Sequence, residues 1–466
     1  MSPVLLSLSL FFTLGQAPES PPAERPFQAR LSFLAGDEDV DTAGSSALWN
    51  AALDAHTPEL TSGLRAEAAL SFFLSSSGAS RGATFVDNGS AFRLRYRPSS
   101  WAADEGLALG VYPLSSIRLY LGSTYPVTWG REAFPRRPGN EPALELRLAR
   151  RQWGVFAALK SAVVNEVLGD SGRYYALLAG GFVDVSPQLQ LELKGMSWNQ
   201  GENPTAAASG AELPMTMRGA SLRALWHHGE PIGSNVDLSL YRGDPVFFER
   251  FFTAGTYSAG FAASVSLEGS LVSQDLLDPE VWPAQRRRTQ SASAAALEVR
   301  VRHDFLRVYG LAYYRTPSFI QLDAPWVFPN EAFRRSAEPR AEVSGSLGAD
   351  YHLKRWGLTP GFLARLTLPA VLNAGGLLGP SQSNHLLLRG PHQISVLPAG
   401  EDRMTVLTLK ATTRWDLGSL AGVVAEVSYA NDPNKVEFVD DENGVAVPVF
   451  KDASTFGATV MLQARY

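Results

Sequence analysis

The sequence contains no cysteine. That excludes a disulfide scaffold, thiolate-ligated zinc or iron–sulfur centres, a thiol nucleophile and a lipid-anchored N-terminal cysteine. Lysine is scarce: six of the 41 basic residues are lysine and the remaining 35 are arginine. Codon bias alone produces such an excess, so its meaning depends on where the arginines sit. Seven histidines offer no ligand trio, and His227 and His228 are adjacent rather than spaced for a metal on a helix. Charge of one sign is also missing. The formal net charge is -5, whereas broad nucleic-acid binding wants a basic face. Outside the N-terminus no apolar run reaches the roughly 18 residues of a membrane-crossing helix.

What the chain has instead is a two-residue alternation, repeated in segments of about nine to eleven residues, the length of a tilted strand crossing a bilayer. Leu64, Ala66, Ala68, Leu70 and Phe72 oppose Arg65, Glu67 and Ser71. Phe92, Leu94 and Tyr96 oppose Arg93, Arg95 and Arg97. Ile117, Leu119 and Leu121 oppose Arg118 and Tyr120; Leu144, Leu146 and Leu148 oppose Glu145 and Arg147. Leu189, Leu191 and Leu193 oppose Glu192 and Lys194; Val236, Leu238 and Leu240 oppose Asp237 and Ser239. Leu297, Val299 and Val301 oppose Glu298, Arg300 and Arg302, and Val423 to Tyr429 repeat the pattern.

The breaks between segments are of two kinds. Tight ones include 113–116, 149–152, 184–188, 302–305, 352–357 and 415–419. Long ones include 124–142, 199–214, 316–338, 369–401 and 430–453. Segregation of short turns from long loops is expected of a barrel with two unlike rims. No repeat of 20–50 residues points to a propeller or solenoid. The pattern predicts an all-β, transmembrane antiparallel β-barrel of about 18 strands (16–20) over 27–466, with no helical domain. The stretch 254–272 leaves the parity of the count unsettled. A soluble secreted β-protein is the competing fold.

At the C-terminus, Phe456, Ala458, Val460, Leu462, Ala464 and Tyr466 share a face opposite Gly457, Thr459, Gln463 and Arg465. An amphipathic strand closing on an aromatic resembles the last strand of bacterial outer-membrane β-barrels, the porin-like family. The resemblance implies short periplasmic turns, long extracellular loops, and Tyr466 as part of the signal read by the barrel-insertion machinery. Outer-membrane lipid and lipopolysaccharide would be its other partners. At the N-terminus, the apolar residues Val4–Leu14 ending in small residues predict a secretory signal over 1–17. The Pro-rich stretch 18–26 then reads as a periplasmic spacer, because proline cannot donate to a sheet. Trp101, Tyr112, Trp153, Tyr174, Tyr175, Trp198, Trp226, Tyr313, Trp356, Trp415 and Tyr429 lie near strand ends and read as interfacial belts.

If the apolar faces meet lipid, Arg93, Arg95, Arg97, Arg118, Arg147, Glu192, Lys194, Arg300, Arg302, Arg307 and Arg365 face the lumen. Guanidinium is planar, permanently charged and weakly hydrated, which suits a wall that steers anions. Glu67, Glu145, Glu298, Glu342, Asp350 and Glu426 share that face, so a mixed, rigidifying ion-pair lining is the alternative. Asp37–Asp41 and Asp440–Glu442 read as solvated loop charge, with a weak surface cation site as the alternative; the first lacks the glycine and glutamate spacing of an EF-hand loop. Arg286, Arg287 and Arg288 are placed in a long loop that could touch anionic lipopolysaccharide. Gly78-Ala-Ser80-Arg-Gly82 matches a nucleophile elbow by letter, but no strand and helix frame it. No catalytic, metal or cofactor site is expected, and no nucleic acid. The function implied is passage of small solutes or a polymer through the lumen. An outer-membrane component of exopolysaccharide export, or a structural or adhesive barrel of an attachment or motility apparatus, stays open beside it.

Overall fold

The computed structural model describes residues 27–465 except 38–44, 78–82, 103, 116, 125–126, 129–140, 166–170, 204–205, 208–211, 230–231, 233–259, 282–285, 324–330, 374–383, 390–392, 419 and 443. The expected signal and spacer, Tyr466, the elbow-like 78–82 and the strand expected over 236–241 lie outside the described residues.

The wall begins with β1 (Phe27–Asp37), β2 (Ser45–His56), β3 (Leu64–Ser77), β4 (Ala83–Asp87), β5 (Ala91–Tyr96) and β6 (Gly106–Tyr112). It continues with β7 (Ala143–Arg150), β8 (Trp153–Asn165), β9 (Ser171–Ser186), β10 (Leu189–Glu202), β11 (Pro214–His228) and β12 (Phe261–Leu277). Then come β13 (Arg287–His303), β14 (Leu306–Arg315), β15 (Glu342–Tyr351) and β16 (Leu358–Leu368). Two small sheets rise from the loops: β17 (Ala370–Asn373), β18 (His385–Arg389) and β19 (Gln393–Val396), and the hairpin β22 (Val436–Asp440) and β23 (Ala446–Phe450). The wall ends with β20 (Val406–Leu417), β21 (Ala421–Asn431) and β24 (Ser454–Arg465).

All neighbours are antiparallel, and β1 pairs with both β2 and β24, so the sheet closes on itself. The main sheet counts 19 strands, but β4 and β5 both pair with β3 and form one interrupted stave, giving 18. The interruption is built by Asp87, whose carboxylate accepts the Gly89 N–H at 3.0 Å and the Ser90 N–H at 3.2 Å. Gly89 there takes φ 79°, a conformation open to glycine. Of the stretch 254–272 that blurs the count, 254–259 lie outside the described residues, and the residues from Phe261 onward form the single strand β12.

Large apolar side chains face outward and are exposed along the wall: Leu31, Leu94, Leu146, Leu193, Leu267, Leu347 and Val427 are examples. Their strand neighbours are buried or half-buried, except Arg147 beside Leu146, which is exposed. A barrel that is apolar outside and polar inside inverts the soluble pattern, and hydrocarbon is the solvent that accepts it. Trp153, Trp226, Trp356 and Trp415 are exposed at the tight-turn rim; Trp49, Tyr175, Tyr314 and Phe456 are exposed toward the other. This is the architecture of a bacterial outer-membrane β-barrel.

Several expectations are corrected. Residues 117–122 are not a strand; they belong to the connection 113–142 between β6 and β7. Tyr112 and Trp198 are not belt residues, being buried inside, and Tyr174 packs on the same internal cluster. Tyr313 also turns inward, while Tyr314 beside it faces out. Arg287 and Arg288 lie on β13, not in a loop. The long loops carry the two small sheets and a short helix, α1 (Pro317–Asp323).

The tight-turn rim is tied together locally. Glu105 accepts from the Ala102 N–H at 3.0 Å and the Arg151 N–H at 3.1 Å, joining the turn 97–105 to the turn 151–152. Those two backbone donors hold its carboxyl below the usual range. Arg150 reaches Glu105 at 3.2 Å and lies 4.2 Å over the Trp101 ring.

Candidate lumen site

The wall is lowest at β5 and β6, and the connection that follows β6 turns into the barrel. Leu119 and Leu121 pack there with Tyr112, Leu178, Met196, Trp198 and Met217, joined by Phe319 and Leu322 of α1. The inward Leu178, Met196, Trp198 and Met217 make the inner wall of β9 to β11 apolar here, and exclusion of water from their contact with Leu119 and Leu121 fixes the segment.

Polar contacts pin it to half the wall. Arg118 Nε donates to the Gly89 carbonyl at 2.8 Å, and Lys160 Nζ to the Leu119 carbonyl at 3.3 Å. Glu268 on β12 accepts from Ser123 N at 2.5 Å, Thr124 N at 2.9 Å, Thr124 Oγ1 at 2.6 Å and Ser221 Oγ at 3.0 Å. Ser123 Oγ receives Lys194 Nζ at 2.8 Å and itself donates to Glu192 at 3.1 Å. Glu192 also pairs with Lys194 at 3.1 Å and Arg223 at 3.6 Å. Buried carboxylates are tolerated only when their lone pairs are filled, and the loop's own N–H and O–H groups fill these. Gly122 is required by contact: a Cβ there would overlap the Thr128 carbonyl where the loop folds on itself.

Below this loop the inner faces of β3 to β7 bring four arginines together. Arg65 stands opposite Arg95, Arg95 opposite Ala108, and Ala108 opposite Arg147, so the three guanidinium-bearing residues share one row. The adjacent row runs Glu67, Arg93, Gly110, Glu145. On β6 the inward residues are Gly106, Ala108 and Gly110, and the large ones, Leu107, Leu109 and Val111, face out. That small floor is what gives the side chains room: Arg95 lies close over Gly106, and Glu145 over Gly110. Tyr112 Oη donates to Glu145 at 2.8 Å, and Arg147 Nη2 to the same carboxylate at 2.7 Å. Arg147 keeps 58% side-chain exposure although it is on the inner face, so its guanidinium stands in open lumen. Arg97 lies just past β5 at the rim, 3.9 Å from Glu59, which Arg65 also approaches at 3.9 Å.

The opposite wall differs. Arg307 forms a bidentate pair with Asp350 at 2.7 and 2.9 Å, with both partners buried. Lys410 meets Glu426 at 3.0 Å, Arg315 meets Glu342 at 2.8 Å, and Arg414 meets Asp416 at 2.9 Å. Arg300 pairs with Glu298 and donates to the Ile232 carbonyl at 2.8 Å. Arg302 is buried on the same strand, and Arg365 sits on β16 opposite Ser346 and Thr408.

The expected residues therefore divide into three groups. Arg93, Arg95 and Arg147 join in one patch; Arg118, Glu192 and Lys194 hold the inturned loop; Arg300, Arg302, Arg307 and Arg365 lie on the far wall; Arg97 belongs to none of these, standing past β5 at the rim beside Glu59. Arg65, Glu268, Ser123 and Arg223 complete the first two groups and were not singled out from sequence. Arg65 was legible, since it alternates with Ala66 and Leu64. Glu268 was not, because Ser123 and Thr124, which supply three of its four donors, lie over 140 residues away.

No protein-family model matches the chain, and no curated protein matches it. Solved structures that resemble it include OccAB2 of Acinetobacter baumannii, at 9% identity and a TM-score of 0.47, covering 94% of this chain and 96% of that one. The outer membrane protein OpdK from Pseudomonas aeruginosa aligns at 9% identity and 0.46, covering 94% and 98%. Pseudomonas aeruginosa OccK5 (OpdH) aligns at 10% and 0.45, covering 94% and 96%. At such scores the barrel reading rests on the chain's own strand pairing.

Proposed function

We propose that the protein is an outer-membrane channel that passes small solutes and favours anions. A closed barrel of this strand number encloses an aqueous lumen wide enough for solutes once an inturned segment narrows it. The observation that supports the reading is Arg147, an inner-wall guanidinium exposed to open space beside Arg95 and Arg65. Around it the patch on β3 to β7 sets four arginines against Glu67 and Glu145. On the far wall Arg307, Arg315 and Lys410 each meet a buried carboxylate, which stiffens the barrel and neutralises those three charges. A fixed positive excess on one side of a narrowed lumen concentrates anions there. Carboxylates and phosphates of small solutes fit this chemistry, since arginine binds both through two parallel N–H donors. The reading assigns the protein no covalent step. Planar-bilayer recordings under a salt gradient test it directly, and added anionic glycan separates a solute channel from a polymer export pore.

A further inference from the structure

The connection between β21 and β24 does not close at the rim. Its arms stay joined, with the Asp432 N–H on the Ala453 carbonyl at 2.8 Å, and become the hairpin β22–β23. The base is held firmly. The Asn434 carboxamide accepts the Met404 N–H at 2.5 Å and donates to the Met404 carbonyl at 2.8 Å, and Val436 packs on the buried Val371, Leu387 and Leu397. Beyond the base, Phe438 and Phe450 are exposed on one face of the hairpin, Val439 and Val445 on the other. The two edges differ. The Lys451 N–H donates to the Lys435 carbonyl at 3.1 Å, and the Asp441 N–H to the Val445 carbonyl at 2.9 Å. Bonded and non-bonded pairs alternate in an antiparallel ladder, so Val436, Phe438 and Asp440 turn their N–H and C=O groups away from β23. On the opposite edge Phe450, Pro448 and Ala446 do the same, but Pro448 has no N–H to offer. Proline on a free edge blocks the addition of a further strand. The β22 edge carries no such block, and among the described residues it pairs with nothing but β23 on its other side.

We propose that the β22 edge pairs, antiparallel, with the same edge of a second copy of this chain, making a four-stranded sheet in the order β23, β22, β22, β23. The register follows from the free groups. Pairing centred on Phe438 is the register that uses all of them, with Phe438 opposite Phe438 and each Val436 opposite Asp440 of the second copy. That register sets Lys435 directly opposite Asp441 of the second copy, twice by symmetry. Within its own chain Lys435 stands opposite Lys451, a like-charge pair that the second copy's carboxylate offsets. Asp441 also accepts the Val445 N–H at 2.8 Å, which fixes it in the turn. The like-charge approaches, Glu437 to Glu437 and to Asp441 of the second copy, are diagonal, at about 7–8 Å. The charge match is with this chain's own sequence, which selects a second copy over another protein's strand. The pairing does not depend on what crosses the lumen.

The test uses the full-length barrel, refolded in detergent, verified by heat-modifiable migration and followed by sedimentation equilibrium as its concentration rises. A joint of this size buries less surface than a stable complex, so a dissociation constant on the order of 10–100 µM is expected. Phe438→Pro removes the central N–H without touching a bond to β23. It is expected to fold as the wild type does and to weaken association about thirtyfold. Lys435→Glu is expected to weaken it about fivefold at low salt and little at high salt. Because the chain has no cysteine, single cysteines report the register. F438C copies are expected to form disulfide-linked dimers, V436C copies are not, and V436C mixed with D440C is expected to cross-link. Should F438P fail to fold, this cysteine set decides. A barrel that stays monomeric, association unchanged in F438P, or cross-linking of V436C copies to one another would overturn the proposal. So would another protein's strand captured at this edge by a barrel that remains monomeric.

Discussion

Arg147 and Glu145 sit two residues apart on β7, joined at 2.7 Å, yet the arginine side chain is 58% exposed and the glutamate 6%. The carboxylate is sunk against Tyr112, and the guanidinium projects beyond it into the lumen. On the proposed channel reading, the pair presents its positive end to a passing solute. Arg147→Gln is expected to lower the anion-to-cation permeability ratio about two- to fivefold, the effect of one unit charge near a water-filled path. Reversal potentials of the variant and wild type under the same gradient measure it.

The buried pair of Arg307 and Asp350 has a different duty. Removing one partner strands the other in a closed environment, which costs about 3–5 kcal/mol. Asp350→Ala is expected to lower the temperature at which the folded band converts in heat-modifiable migration. Single-channel conductance of the surviving folded protein is expected to stay within the wild-type range. A conductance change without a stability change would place this pair in the permeation path.

Glu268 is the latch of the inturned segment, with four donors converging on it. Glu268→Ala leaves those donors unsatisfied, at roughly 1–3 kcal/mol for each buried group. Larger and noisier unitary conductance is expected, because the segment that narrows the lumen is released on one side. Gly122→Ala is expected to act in the same direction through the overlap with Thr128. Unchanged conductance in both variants would show that the segment does not limit flow.

Asp402, in the connection between β19 and β20, is bound by Arg340 at 2.7 Å and accepts the Arg403 N–H. The Arg340 contact is the main cause holding its carboxyl down to about 2. A carboxyl depressed on folding contributes stability above its unfolded value, near 4, and loses it as pH falls toward 2. Pepsin digestion of this loop is accordingly expected to be slow at pH 4 and fast at pH 2. In Arg340→Ala it is expected to be fast at both, and equal digestion of the two proteins at pH 4 would refute the link.

The barrel was legible because lipid on one side and water on the other impose a period of two on nearly every strand. The same period misled at 117–122, where Leu119 and Leu121 alternate with Arg118 and Tyr120 because they pack on an internal cluster rather than on lipid. Parity held a correction that position near a strand end obscured. Tyr112 is out of step with Leu109 and Val111, and Trp198 with Leu191 and Leu193, so both point inward. The arginine patch was half legible: Arg93, Arg95 and Arg147 share a face by alternation, but their common row with Arg65 depends on strand register. Register across β5, β6 and β7 is set by turns and pairing that composition does not encode.

The central claim is an open lumen with a positive excess on one wall. A single purified barrel in a planar bilayer, recorded across a tenfold KCl gradient, tests it most directly. The expected result is stable ohmic conductance with a reversal potential of the sign that chloride selectivity produces. A cation-selective reversal potential, or a folded barrel that carries no current, would contradict it.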